Sequence, residues 1–512
     1  PGHLILGGVN TYTGGTDING GSLEIDADNR LGNAAGTLDF DGGTLFTLGT
    51  FSTARATTVN SGGGTFNVPG SNTFTHNGNI AGAGGLGKDG TGTLLLTAVS
   101  SYGGATTVDD GTLQLGGSER LPNTTSVTVN APADLDLNAF NETIDGLSGD
   151  GIVNLTNAQL TVGISGGGGS FRGVITGSGD FQKEGGGTQT LSGGTHTFSG
   201  ATVVNGGELI LNGGGSIDQT TLSVGFNNGS DGTTTVDGGL TTWDVSGNLT
   251  VGAQGVGQLN VENGAVMTVG GQVLIGAGAG SGTLLVDAGT LDNSTGTGIL
   301  VQDGTLGGDG DVLGNVINQD TLAPGTSAGV LNLTGTYVQE ITGTFSAEIG
   351  GTGAGQFDVL NVSSTASLSG DLEIGLLGFA PAPSDTFAIM VAGTLVGEFG
   401  NVADGARLNI ASGGTGSFQV DYTSTSVILS DFSGTASGLP GDFNNDGFVN
   451  GRDFLVWQTG GSPNGTTGLD LGIWEANYGT TSSHAAAQSV PEPSGTLLVG
   501  MCLAAFMSRR RS

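Results

Sequence analysis

Val236, Val261 and Val286 stand 25 residues apart, and each opens the same phrase: a β-branched residue, a carboxylate or amide residue, any residue, then glycine. A fixed spacing of this size marks a repeating supersecondary unit that buries its apolar face only by stacking on its neighbours. The phrase also occurs out of that strict spacing at Ile18, Val59, Val108 and Val204. A second phrase, Gly-Thr-Leu, recurs at Gly36, Gly43, Gly92, Gly111, Gly282 and Gly304. Side chains alternate along a strand, so the threonine is expected to face water and the leucine to face inward, while glycine supplies the turn. Before the C-terminal tail no comparably long stretch carries the 3.6-residue apolar period of a helix, which predicts an all-β chain through about residue 430.

A coil of 25 residues suits three strands and three corners. Stacked at about 4.8 Å, such coils satisfy every backbone donor and acceptor in the coil above or below. The expected architecture is a right-handed parallel β-helix, a solenoid with interior columns of Leu, Val and Ile and with ladders of like Asn and Asp at the corners. Residues 1 to 430 would make roughly 17 coils and a rod of about 80 Å. The composition fits: 105 of 512 residues are glycine, 35% are apolar and only 11% are charged. Against 45 acidic residues stand 11 basic ones, and Lys88 and Lys183 are the two lysines. A net charge of -34 leaves nothing to neutralise phosphates, so nucleic acid is not expected as a partner. Cys502 is the single cysteine, which excludes an internal disulfide and a Cys-based zinc site.

Leu86 to Gly117, LGKDGTGTLLLTAVSSYGGATTVDDGTLQLGG, resembles the autotransporter-associated β-strand repeat found in passenger regions of bacterial surface proteins. Related copies lie at 8 to 25 and 181 to 211, with Tyr12, Tyr102 and Phe198 in matching places. From Gly304 to about Phe432 the text resembles the closing segment of such passengers, which would cover the last open strands of the rod. No membrane β-barrel of autotransporter type follows in the sequence, so self-secretion through an outer membrane is not part of the expectation.

Parallel β-helices also carry polysaccharide lyases and hydrolases, which need a local cluster of carboxylates on one face. Here the acids are spread one or two per repeat at turns. Gly-x-Ser-x-Gly occurs around Ser165 and Ser327, but a chain one-fifth glycine yields about two such matches by chance. His3, His76, His196 and His484 are far apart, and His196 is expected at a surface or turn position. No catalytic residue is assigned.

After the linker 433 to 438 the composition shifts to LPGDFNNDGFVNGRDFLVWQTGG. Asp442, Asn444, Asp446, Asn450 and Asp453 occupy positions 1, 3, 5, 9 and 12 of a calcium loop, with Gly447 at the sharp turn and the Phe448 carbonyl at position 7. The segment 439–480 resembles a type I dockerin, a family that binds cohesin modules. Asp453 to Trp457 is echoed by Asp470 to Trp474, but Gly461 and Pro463 stand where a second set of ligands would be needed, so one calcium ion is expected. Gly451 and Arg452 depart from the Ser/Thr usual in cohesin-binding members. Trp457 and Trp474 are expected to pack a small two-helix core.

Val490-Pro-Glu-Pro-Ser494 precedes a 13-residue apolar run, Gly495 to Met507, and three arginines. The run is short for a permanent span of about 20 residues and suits a transient membrane helix, held at the cytoplasmic side by the arginines. Pro491, Glu492, Pro493, Arg509, Arg510 and Arg511 make this tail similar to the PEP-CTERM sorting signal, whose family role is recognition and cleavage by an exosortase.

The domain plan is thus a β-helix over 1–220 with autotransporter-associated repeats, 25-residue repeats over 221–303, a closing segment 304–432, the dockerin-like EF-hand module 439–480, a linker 481–489 and the sorting signal 490–512. The function this implies is that of an exported, non-enzymatic structural or adhesive protein of the cell surface, outer membrane or extracellular matrix. Its expected partners are an exosortase-type enzyme and an extracellular polysaccharide or a cohesin-like module. The alternative is a carbohydrate-active or carbohydrate-binding component.

Overall fold

The computed structural model describes residues 2–433, 440–444, 448–459 and 468–480. The chain divides into two compact units, Pro1–Gly414 with Phe418–Phe432, and Thr415–Ser417 with Ser433–Ser512.

In the first unit the strands stack into a parallel β-solenoid. One coil shows the plan: Asp231–Asp237 lies on one face, Thr242–Val245 on the next and Leu249–Val251 on the third, before Val256–Glu262 returns beneath the first. The first face forms an 18-stranded sheet. The other two faces are joined at the C-terminal end by the long strand Val359–Leu368, which pairs with both Val330–Thr334 and Tyr337–Gln339. Val236, Val261 and Val286 are register partners in successive coils, as their spacing requires.

The 25-residue coil is local. It holds from Gly206 through Asp231 and Val256 to Ser281, but Leu86 pairs with Thr106, Ser22 with Thr44 and Thr305 with Thr321. Strands keep their register because every inward residue sits in a column; corners meet no such requirement and take up the difference. Gly276, at φ +71°, shows how tightly they close, since a Cβ there would lie 1.9 Å from the Asp303 carbonyl oxygen.

The alternation read from sequence is realised along the stack. Leu38, Leu45, Leu94, Leu113, Leu284 and Leu306 are all fully buried, as is Leu291 of the further Gly-Thr-Leu phrase at Gly289, whereas Leu395 of the phrase at Gly393, near the C-terminal end, is only partly buried. One interior column runs Leu209, Thr234, Leu259, Leu284, Leu306, Leu322, Phe345, Leu372. At the C-terminal end Phe387–Gly397 pairs antiparallel with Ser426–Ser433, whereas the coils before it pair in parallel.

The interior also holds polar groups that alternation explains once parity is followed. Lys88 and Lys183 are both fully buried. The Lys88 ammonium donates to the carbonyls of Asp89, Gly90 and Asp110 at 3.1, 2.6 and 2.8 Å, and that of Lys183 to Glu184, Gly185 and Gly206 at 2.6, 3.0 and 3.1 Å. Burial pushes Lys88 down to about 8. His196 is a correction: it is not at the surface but 1% exposed, because in Thr195–Phe198 it shares inward parity with Phe198. Its Nδ1 accepts from Ile175 N at 3.2 Å. His76, equally enclosed, donates from Nδ1 to Gly78 O and accepts at Nε2 from the Thr57 hydroxyl. Burial pushes both imidazoles down to about 4. Glu142 accepts from Arg120 N and Leu121 N, each at 2.8 Å, yet burial outweighs these bonds and lifts its carboxyl to about 8. Asp358 joins Gly329 N to Glu348 N and is lifted by burial to about 7.

Two predictions follow from this interior. Thr234 is fully buried, and its hydroxyl finds no partner among the described residues. Thr234→Val should therefore raise the urea midpoint, by about 1 kcal/mol of stability, while Leu259→Ala in the same column should lower it by about 2–5 kcal/mol. The second concerns pH. Glu142 and Asp358 hold their protons in the fold up to about 8 and 7 but release them near 4.5 and 3.8 when unfolded, so their stabilising contribution is greatest in acid and declines as pH rises. The two histidines act oppositely, losing their contribution as pH falls from 6.5 towards 4. The urea midpoint should thus climb as pH falls from 8 to 6.5 and level off below that, where the loss at the two histidines offsets the continuing gain at the two carboxyls. Glu142→Gln with Asp358→Asn should flatten the upper limb; a limb unchanged by both substitutions would show that other groups set it.

Candidate functional site

The second unit carries the predicted metal ligands. Helix α1, Gly451–Gln458, begins at Asn450, whose side-chain oxygen accepts from Arg452 N at 2.8 Å. Asp453, fully buried, accepts from Asn450 N through Oδ2 at 2.9 Å and from Asn444 N through Oδ1 at 3.0 Å. One carboxylate thus caps the helix and ties back the loop nine residues upstream. Asp442 is 7% exposed, and the Phe448 carbonyl accepts weakly from Asn450 Nδ2 at 3.4 Å. Asp446 and Gly447 lie outside the described residues. Among the described residues no three or more acidic, His or Cys side chains converge into a metal-binding group; the predicted ligand set draws also on two amides, a backbone carbonyl and Asp446. All of these are oxygen donors, which suit a hard cation such as calcium.

Helix α2, Gly468–Asn477, packs on α1 through aromatic rings. Phe454 stands between the two tryptophans, 5.3 Å from Trp457 and 5.0 Å from Trp474, and Tyr478 meets Trp474 edge-on at 5.0 Å. The Trp474 indole donates to the Asn450 carbonyl at 2.8 Å, so the second helix holds the end of the loop as well as the core. The sequence reading named both tryptophans and missed Phe454, which the alternation of Phe454 and Trp457 on one helix face would have supplied. The C-terminal residues Pro491, Glu492, Pro493, Arg509, Arg510 and Arg511 lie outside the described residues. Among the described residues no helix is long and apolar enough to cross a membrane.

On the solenoid, polar residues on a strand face form a ladder in place of the expected corner ladder: Asn361 donates to Asn332 at 2.9 Å and Asn332 to Asp311 at 3.0 Å, each the register partner of the next. One corner stacks carboxylates. Asp237 and Glu262 are register partners, and Asp287 and Asp309 follow on the next coils. Asp287 is raised by its hydrogen bond with Asp309, and Glu262 by burial and the charge of Asp237. Their backbones succeed one another at the coil rise of about 4.8 Å along one edge, and the side chains of Asp287 and Asp309 close to a hydrogen bond. Glycosidic cleavage instead places its two carboxyl groups on opposite sides of the scissile bond. Ser165 and Ser327 sit in corner turns: Asp145 accepts from Ser165 N, and Asp358 holds Gly329 N beside Ser327.

Two open grooves flank the first face. One, of about 680 Å³, is lined by Glu184, Asn205, Asn227, Asn228, Asp231 and the glycines between them. Asn205 fixes it, donating to Glu184 at 2.8 Å and accepting from Asn227 N at 3.2 Å. The other, of about 570 Å³, lies at the far end of the same strands between Asn212, Asp237 and Leu240. Sequence reasoning missed both, because each joins corners from different coils.

Comparison with known proteins bears on the solenoid. The passenger-associated-transport-repeat family matches residues 1–25, 86–115 and 181–211. The adhesin BmaC autotransporter of Brucella suis biovar 1 (strain 1330) is 39% identical over 205 residues, covering 36% of this chain. The match spans only 6% of that much longer relative. The chain is thus a parallel β-solenoid that carries passenger-associated-transport repeats and is similar over about a third of its length to part of an autotransporter adhesin.

Proposed function

We propose that this chain is an exported, non-enzymatic surface protein whose solenoid presents an adhesive flank and is followed in sequence by a calcium-loaded module and a C-terminal sorting signal. The observation that carries the reading is the placement of three passenger repeats within one parallel stack, in a chain similar to an adhesin. A stacked rod suits reach and display: its chemistry is spread along open flanks, and its charge balance discourages polyanions.

The calcium part of the reading is supported by the oxygen-only donor set around Asp453. Bound calcium would draw Asp442, Asn444, Asp446, Asn450 and Asp453 together with the Phe448 carbonyl and fix the loop against α1 and α2, so that binding and local folding are one event. The sorting part rests on the tail's similarity to PEP-CTERM signals, which would make an exosortase-type enzyme the processing partner. A cohesin-like module is a weaker fit, since Gly451 and Arg452 stand at the pairing positions.

Two measurements test this. Intact cells producing the protein should expose the solenoid to antibody and attach to a surface more strongly than cells lacking it, and the shed protein should end near Pro491 by intact mass. Failure of surface exposure would overturn the reading, and an intact C-terminus on shed material would overturn processing. Calcium should slow hydrogen exchange in peptides from 440–480 of the full chain, and Asp453→Ala should abolish that protection; equal exchange with and without calcium would remove the metal from the account.

A further inference from the structure

The two grooves are not independent. Strands Gly206–Asn212 and Asp231–Asp237 both start at the first groove and end at the second, so one flank about 20 Å long connects them. Its middle sets Ile210, the outward-facing partner of Thr235, beside polar groups: Thr235 donates to Glu208 at 3.2 Å, and Thr188 lies within 3.4 Å of the same carboxylate. Apolar side chains stand at both ends. Phe226, beside the first groove, is 47% exposed, and Leu240, in the second, is 88% exposed.

Neither end residue is demanded by the fold. The next two coils carry the same left-handed glycine at this corner, Gly252 and Gly276 matching Gly225, but reach the following strand after three and four residues, Ala253–Gly255 and Ala277–Gly280, where this corner takes five, Phe226–Ser230. Phe226–Ser230 is therefore a lengthened corner that the coils below close without. Leu240 is odder still. Asp237 pairs with Glu262 and Trp243 with Met267, so its turn is one residue longer than the turn below. The extra residue is a leucine at φ +79°, a conformation that costs a branched side chain energy, and it is held by Thr241, whose hydroxyl donates to Asp237 O and accepts from Gly214 N. Strain plus an exposed apolar side chain at a well-anchored turn indicates a contact made outside the chain.

We propose that this flank binds an uncharged, hydroxyl-rich glycan strand, laid along Gly206–Asn212 and Asp231–Asp237 between Phe226 and Leu240. The inference rests on the adhesive reading above and names the ligand class of that surface. The lining mixes carboxylates with amides, Glu184 and Asp237 beside Asn212, Asn227 and Asn228, and sugar hydroxyls both donate to the former and pair either way with the latter. The one cation below the first groove, Lys183, is fully buried and spends its ammonium on three carbonyls, so an anionic polymer finds no counter-charge there. The exposed Phe226 ring offers an apolar surface for a pyranose, and both grooves are open to solvent, as a polymer passing through requires.

The test uses the full chain with cellohexaose, laminarihexaose, mannohexaose and a hyaluronan hexamer in titration calorimetry, alongside a triple variant, Phe226→Ala, Asn228→Ala and Leu240→Gly. All three changes are at exposed corner positions, and a urea midpoint no lower than that of the parent chain verifies the fold, glycine at position 240 relieving the positive-φ strain. The expected result is binding of at least one neutral hexasaccharide, weakened at least tenfold in the triple variant, with hyaluronan not bound. Absence of binding by all three neutral probes, binding undiminished in the variant, or equal binding of hyaluronan would overturn the proposal. Cell attachment separates this from the broader reading: attachment lost with the whole chain but kept by the triple variant fails this flank alone, whereas attachment indifferent to the chain fails the adhesive function itself.

Discussion

Parallel hydrogen bonding between successive coils is the constraint on which the rest of the molecule depends. Each strand finds backbone partners only in the coil above and the coil below, so an inward residue must fit the column it joins, as Leu259 fits between Thr234 and Leu284. Corners carry no such obligation. They lengthen from the 16-residue step at Thr305 to the 25-residue steps after Gly206 while the strands they join stay in register. Chemistry can accumulate there at little cost to the fold, and the grooves, the carboxylate ladder and the strained Leu240 are all found at corners.

What could be read from the linear chain follows the same division. The parity of Gly-Thr-Leu and the triplet Val236, Val261, Val286 located strands and inward faces because both are local properties of a pleated backbone. Coil length elsewhere was not legible: it depends on how many residues a corner absorbs, and Leu86–Thr106 and Thr305–Thr321 leave no phrase at a common spacing. His196, Glu142 and Asp358 eluded the reading because polar residue type argued for the surface while strand parity or a partner from another coil placed them inside. In the second unit the candidate ligand positions rest on spacing alone; what the fold adds is that Asp453 bonds to Asn444 N and Asn450 N, tying two of those positions to a third. Phe454 was overlooked because attention to the tryptophans took their contact to be direct.

The sequence repeat and the structural coil are also out of step. The copy at 86–115 begins on the 18-stranded face, where Leu86–Asp89 pairs with Thr106–Val108. The copy at 181–211 begins one face away, with Phe181–Lys183 paired to Ala201–Val204. The same phrase, lysine included, is therefore built equally well on different sides of the solenoid. What the repeat specifies is a strand, a glycine corner and a buried ammonium beneath it; the side on which this is displayed is set by the lengths of the corners before it.

Those two ammonium groups have a further consequence. Lys88 and Lys183 are the lysines of the whole chain, and both are sealed inside the stack. The folded solenoid consequently presents no side-chain primary amine to its surroundings. Isopeptide cross-linking enzymes and lysine-directed proteases would find no side chain to act upon until a coil opens, which leaves the folded solenoid silent to chemistry aimed at lysine amines.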